Sequence, residues 1–462
     1  MFDAYRRPGL FSVHILAPEF RPLSRRRPAR ESEVAPKNLR QAPANRKRGE
    51  HVTLSSTEAA ILHGSAAGVG AATAVLAHLK AFTDLAAAEP LWRALEREAA
   101  FPVYQRFDFL ALWQRHIGAP AGIEPFIIVG FDGAGRPVML WPLGRRRIGP
   151  LPLHIAEPLG GKHVNYNFGL WRRSFAESLD AAAVAGLIGR IRRLGTRLDL
   201  ISIERQPENW DDVPNPLRLL PHQPSPSFGW RGRLDPDPAA YFARMMSSDT
   251  RLKFRRKERK LAQNPGYRYV CATTPAEVER TLDAYFVQKA ARLRDAGIAN
   301  VFAEPGVEAF LRAAAYHGLD ERRPLLECHA LVCDDEVIAV FTTLRDDTRV
   351  SGMLMSITGS DNARWSPGVV LLIQLVTRYC EAGLPWFDLG VGEASYKTYF
   401  CAEAEPLFTS FIPLTLPGRL LAAGRAGLNA IKRRIKQSPW LWTMVQASRR
   451  RLFGTTKPAA TS

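Results

Sequence analysis

Apolar residues along this chain recur in two rhythms, a period near 3.6 over long stretches and near 2 over short ones. The alternation predicts a mixed α/β protein. Leu91, Trp92 and Leu95, then Phe109, Leu110 and Trp113, predict helices over 89–100 and 106–117. The apolar runs 125–131 and 136–143 flank Asp132-Gly133 and predict a hairpin. A helix over 174–194 and a short strand over 198–203 complete a first half. Prolines crowd 207–226 and predict a linker. Helices are expected over 238–246, 251–261 (capped by Asp249 or Thr250), 276–296 and 305–318. A three-strand meander follows over 325–333, 337–344 and 349–357, turning at Asp334-Asp335 and Asp346-Asp347. A helix from Pro367, a strand over 386–390 and a last strand over 407–414 finish the second half.

The helix after Ser366 has a marked beginning and end. Ser366 suits the N-cap and Pro367 the first helical position, while Gly383 and Pro385 mark the stop. Between them the residues are apolar all round, so the helix should be buried. Its first turn then offers the amides of Gly368, Val369 and Val370 to an anion such as a phosphate. Both halves run in the same order, and each reaches a short strand bearing an aspartate, Asp199 or Asp388. That repetition suggests two tandem copies of one α/β unit with mixed sheets. The organisation is then a basic extension at 1–75, lobes at 76–206 and 227–416 joined by the linker at 207–226, and a basic amphipathic tail at 417–462. The extension reads as disordered or as mis-assigned sequence, with translation starting at Val52.

Charge changes the picture once it is located. The net charge is +18, but residues 1–51 carry +7 and residues 417–462 carry +10, leaving a near-neutral body of +1. Nucleic-acid binding by the body is therefore not expected. The five cysteines show neither paired nor metal-ligand spacing, which fits reduced thiols in the cytoplasm, and no metal is expected. His329 reads as a structural histidine within the meander. No Gly-x-Ser-x-Gly, His-Glu-x-x-His, Walker or dinucleotide-binding pattern occurs.

The segment Trp365-Ser366-Pro367-Gly368-Val369-Val370-Leu371-Leu372, with Phe387-Asp388-Leu389-Gly390-Val391-Gly392-Glu393 and Tyr396-Lys397, resembles the BioF2-like acyltransferases. More narrowly it resembles the CelD-type proteins of bacterial cellulose and exopolysaccharide synthesis. Pro102-Val103-Tyr104-Gln105, Gly160-Gly161-Lys162-His163 and the basic helix around Arg255 share the likeness, which spans about residues 76–415. The tandem arrangement is also similar to the Fem-type aminoacyl transferases. The resemblance implies two GNAT-like (acyl-CoA N-acyltransferase) lobes that use acetyl-CoA or another acyl-CoA as donor, with no metal. It implies a donor pyrophosphate at Ser366, Gly368, Val369 and Val370, and an acyl group between the flanking strands. Ser366-Pro367-Gly368 stands where the wider family carries a glycine-rich cofactor signature.

Acyl transfer to a sugar or amine acceptor needs a base, a polarised thioester carbonyl and a proton for the departing thiolate. Lys397 can bind a phosphate or the oxyanion, Asp388 or Glu393 can be the base, and Tyr396 can be the proton donor or a packing residue. Asp388 has a plainer alternative, capping a turn or pairing with Lys397. Arg251, Arg255 and Arg256 either touch an anionic substrate or form a solvated helix face. The reading is a cytoplasmic acetyl-CoA-dependent acyltransferase of exopolysaccharide or cellulose synthesis. Its rivals are a Fem-like enzyme using charged tRNA and a non-catalytic assembly factor. Over 417–455 apolar and basic residues interleave around Trp440 and Trp442, which suits peripheral contact with the inner membrane or a helix lying across the protein's own surface.

Overall fold

The computed structural model describes residues 76–149, 152–195, 197–438, 440, 441 and 443–445. The extension 1–75 with Val52, and Trp442 and residues 446–462 of the tail, lie outside the described residues.

Strands β1 (His78–Phe82), β2 (Glu124–Phe131), β3 (Pro137–Ile148), β4 (Leu153–Pro158) and β5 (Leu200–Pro207) build the first sheet. Helices α1 (Leu85–Glu96), α2 (Phe107–Trp113) and α3 (Ala181–Arg192) accompany it. The predicted helix over 174–194 is broken: Arg173–Ser178 stops at Leu179, and Asp180 caps α3 by accepting from the Ala183 amide (2.7 Å). Helix α1 starts earlier than expected because Asp84 caps it. The proline-rich passage is more than a linker. It contains a small hairpin (Asn209–Trp210 with Val213–Pro214) and β6 (Gln223–Pro224).

The second sheet contains β7 (Gly229–Arg233), β8 (Arg268–Cys271) and the meander β9 (Glu327–Cys333), β10 (Glu336–Arg345) and β11 (Arg349–Ile357). Around it lie α4 (Pro238–Met245), α5 (Ser248–Leu261), α6 (Pro275–Asp295) and α7 (Val307–Tyr316). Ser247, not Asp249 or Thr250, caps α5, and Thr274 with Glu277 forms a capping box on α6. Helix α8 (Pro367–Glu381) follows the meander, then β12 (Trp386–Val391) and β13 (Glu403–Glu405). The order across this sheet is β8-β9-β10-β11-β12-β7-β13.

Strand β14 (Leu407–Pro413) does not finish the second sheet. It crosses back and pairs with β5 and β6 in the first, giving the order β1-β2-β3-β4-β5-β14-β6. Helix α9 (Leu416–Gln437) then lies on the first lobe. Ala422 packs with Ile155 and Leu200, and Arg425 reaches Glu157 (2.6 Å) and Ser202 (2.9 Å).

Each sheet contains one parallel pair among antiparallel neighbours. These are β4 with β5, through Ile155↔Leu200 and Ala156↔Ile201, and β11 with β12. Parallel neighbours require a crossover, which the intervening helices supply. The two lobes thus repeat one mixed α/β plan.

Candidate functional site

The site grows from the place where β11 and β12 stop pairing. They match through Arg349↔Trp386, Val350↔Phe387 and Ser351↔Asp388, and no further. Beyond that rung, Gly352 to Met355 on one strand and Leu389 and Val391 on the other line a narrow wedge of about 20 Å³.

The first lobe holds this wedge open. Asn165 Nδ2 donates to the Gly352 carbonyl (3.1 Å), and the Val391 amide donates to Asn165 Oδ1 (3.3 Å). One side-chain amide therefore replaces the next rung of the ladder. Asn165 also donates to Tyr104 Oη (2.7 Å), which itself donates to the Gly352 carbonyl (3.2 Å). Gly390 makes the approach possible: its φ is +70°, and a Cβ there would sit 2.5 Å from Asn165 Nδ2.

Lys289 and Tyr396 also line the wedge. Lys289 is 6 % exposed, donates to the Met355 carbonyl (3.2 Å) and has its ammonium 5.5 Å from the Phe302 ring centre. Burial, helped by Arg292, pushes its pKa down to about 8. Sequence reasoning missed it, although a signal existed: Lys289 falls on the buried stripe Val278, Leu282, Tyr285, Leu293 of α6. Burial raises the Tyr396 phenol above its ordinary range, so it stays protonated. Asn165 carried no comparable signal.

The other expected catalytic residues lie elsewhere. Asp388 is fully buried at the contact of the two lobes. Its Oδ1 accepts from Tyr166 Oη (2.9 Å) and from the Gly390 amide, so it caps a turn, and burial raises its pKa against the pull of Arg349. Arg349 is itself buried, stacked 3.7 Å over Trp210 with Nη1 3.9 Å from Asp388 Oδ2. Lys397 is also buried. It donates to the carbonyls of Gly390 (3.1 Å) and Val391 (3.3 Å), which fixes the end of β12, and burial pushes its pKa down to about 8. Glu393 is exposed and accepts from the Phe228 amide (3.3 Å), outside the wedge lining.

The start of α8 also departs from expectation. Ser366 occupies the N-cap, but in a left-handed conformation (φ 56°), and its hydroxyl caps nothing. It accepts instead from Lys257 Nζ of α5 (2.6 Å), which also reaches the Arg364 carbonyl (3.2 Å). The amides of Val369 and Val370 both donate to the Ser366 carbonyl (3.0 and 3.2 Å), so they are not available to a phosphate. Gly368 is buried, and a Cβ there would meet Met355 Cε at 2.5 Å, so its glycine serves packing on β11. An anion at this helix start is therefore matched by the Lys257 ammonium more than by a cradle of amides.

Arg251 and Arg255 line a separate groove of about 490 Å³ with Phe242, Phe254 and Ile373, while Arg256 is exposed and is not part of that lining. His329 is buried and bonded to Tyr269 Oη (2.8 Å) and Thr343 Oγ1 (3.1 Å), as a structural histidine would be.

The corresponding place in the first lobe is closed. Beyond Ala156↔Ile201, Arg425 of α9 bridges Glu157 on β4 to Ser202 on β5. The Asp180 carboxylate occupies the start of α3, where it disfavours a phosphate. Asp199 precedes β5 and accepts from the His154 amide (2.9 Å) and Thr415 Oγ1 (2.6 Å), while Ile201, at the last parallel rung, stands where Asp388 does in the second lobe. Among the described residues there is no group of side chains able to hold a metal ion, and no helix long and apolar enough to cross a membrane.

Residues 248–398, from the start of α5 to just past Lys397, match the family described as acetyltransferase (GNAT) domain. No curated protein sequence matches. The structure of FemX aligns with a TM-score of 0.50 at 8% identity, covering 74% of this chain and 100% of FemX. L-PGS from Bacillus licheniformis aligns at 0.43 and 12% identity, covering 73% and 96%. A tandem GNAT protein from the clavulanic acid biosynthesis pathway aligns at 0.37 and 12% identity, covering 73% and 99%. The chain folds as two GNAT-like lobes in tandem, and its second lobe contains the stretch that matches the acetyltransferase (GNAT) domain.

Proposed function

We propose that this chain is an acetyl-CoA-dependent acyltransferase that modifies an amine or hydroxyl of a sugar in bacterial exopolysaccharide or cellulose synthesis. The observation that carries the reaction class is the wedge between β11 and β12, with Lys289 and Tyr396 in its lining. The polysaccharide assignment rests on the sequence resemblance of the Trp365 to Lys397 segment. The wedge is small and bordered by Phe341, Met353 and Leu354, which suits an acetyl group better than a long chain. The Lys289 ammonium opposes the α-ammonium of an aminoacyl donor, so the tRNA-dependent alternative is less favoured.

In this reading Lys257, Ser366 Oγ and the Gly368 amide hold the donor's phosphates at the start of α8. Bound acetyl-CoA would supply the acyl thioester. Lys289, with a pKa of about 8, provides a neutral amine fraction that accepts the proton of the attacking nucleophile. Tyr396 holds its proton and donates it to the thiolate. Asn165, Tyr104 and Lys397 position the two strands and do not touch the reacting atoms. Arg251 and Arg255 receive an anionic part of the acceptor in their groove. Asp388 and Glu393 take no part.

Titration calorimetry with acetyl-CoA and CoA tests the donor. Saturable binding below millimolar ligand is expected, and none at millimolar ligand sinks the proposal in favour of the non-catalytic reading. Binding without turnover on any amino sugar or polysaccharide precursor removes the acceptor assignment alone.

A further inference from the structure

Helix α9 has an inner face and an outward one. The inner one is occupied: Gly418, Ala422 and Asn429 are buried against the first lobe, Arg425 is held by Glu157 and Lys436 by Ser227 (2.7 Å). On the opposite side Leu416, Leu420, Leu428 and Ile431 are 73%, 80%, 44% and 58% exposed, with Ala423, Gly424 and Gly427 exposed between them. A helix already packed on one side normally shows polar residues on the other. Exposed Trp440 and Met444 extend the apolar surface beyond the helix.

Charge identifies what this face meets. The sequence contains no acidic residue after Glu405. Arg419, Ala423, Ala426, Ala430 and Arg433 recur at three- and four-residue spacing and form one flank, basic at both ends. Along that flank runs an apolar groove of about 700 Å³ between α9, α3 and β14, walled by Ile188, Phe411, Pro413 and Ala426. A second copy of the chain is a poor occupant, since a two-fold contact would set these arginines against themselves.

We infer that the outward face of α9 docks on a bilayer containing anionic phospholipid, with the leucines and Ile431 entering the interface, the arginines meeting phosphates and the groove accepting an acyl chain. The inference is independent of the acyl-transfer proposal.

The test is co-sedimentation of the full chain with vesicles of phosphatidylglycerol and phosphatidylcholine, or of phosphatidylcholine alone. The wild-type chain should pellet with the mixed vesicles, with at least a tenfold smaller partition coefficient on phosphatidylcholine. The double variant Leu420→Glu, Ile431→Glu should lose binding tenfold or more, and its folding, checked by circular dichroism, should hold because both side chains point outward. Failure of the wild type to pellet overturns the inference without reference to any variant. Equal binding by the double variant also overturns it. A dimer in sedimentation equilibrium that the variant dissolves overturns it in favour of a second copy.

Discussion

Replacing Lys289 by Met separates a reactive lysine from a structural one. Burial lowers its pKa from 10.5 to about 8, so at pH 7 the folded state holds a charged group it would rather have neutral. By linkage that costs about 3 kcal/mol. Because the folded pKa lies below the unfolded one, the unfolded chain binds more protons between pH 8 and 10.5. Stability therefore rises with pH across that window, and the penalty is complete below it. Methionine is of similar length and carries no charge. Its substitution forfeits the bond to the Met355 carbonyl, worth about 1 kcal/mol. Lys289→Met should thus be about 1–3 kcal/mol more stable than wild type at pH 7, with the gain fading by pH 10.5. Lys397, with its own pKa pushed down to about 8, keeps its share of the slope. Turnover should fall by about 10²–10⁴-fold with loss of a general base. Urea denaturation at pH 7 and pH 10, beside a thiol-release assay with acetyl-CoA, measures both. A variant that is less stable at pH 7 and still turns over within a few-fold of wild type would refute the reasoning.

Other substitutions probe the supports of the wedge. Tyr166→Phe removes the 2.9 Å bond to the buried Asp388 carboxylate and should cost about 2–3 kcal/mol in urea denaturation. Lys257→Ala should weaken acetyl-CoA binding about tenfold in calorimetry, roughly one charge-assisted contact, while kcat at saturation is little changed. Gly390→Ala combines a φ of +70° with a Cβ 2.5 Å from Asn165 Nδ2, so the melting temperature and turnover should fall together, by about 2 kcal/mol or more in stability.

Much of the second lobe was legible because its signals are local. The meander, α8 and β12 are apolar runs bounded by Asp-Asp turns, a proline and a glycine, and these survive without knowledge of neighbours. The start of α8 misled for a local reason too. Ser366 has the composition of a capping residue, but its left-handed backbone turns the hydroxyl to Lys257, a contact spanning 109 residues of sequence. Asp388 and Lys397 drew attention as ionisable residues of the family-like segment, yet both point into protein and hold backbone and partner groups in place. Asn165 could not be found from spacing, since its partner Val391 lies 226 residues away. The destination of β14 was hidden for the same reason: an apolar run predicts a strand and says nothing of which sheet it joins.

The crossing of β14 explains why two copies of one plan end in different states. By leaving the second sheet it brings α9 onto the first lobe, and there Arg425 ties Glu157 to Ser202 across the point where β4 and β5 separate. In the second lobe the matching point receives Asn165 from the first lobe, which holds the strands apart and leaves the wedge beside Lys289 and Tyr396. Each lobe thus supplies or receives the residue that decides whether its partner's strands close. The first copy is the scaffold that shapes the second, and the helix sealing it is free on its other face to meet a surface.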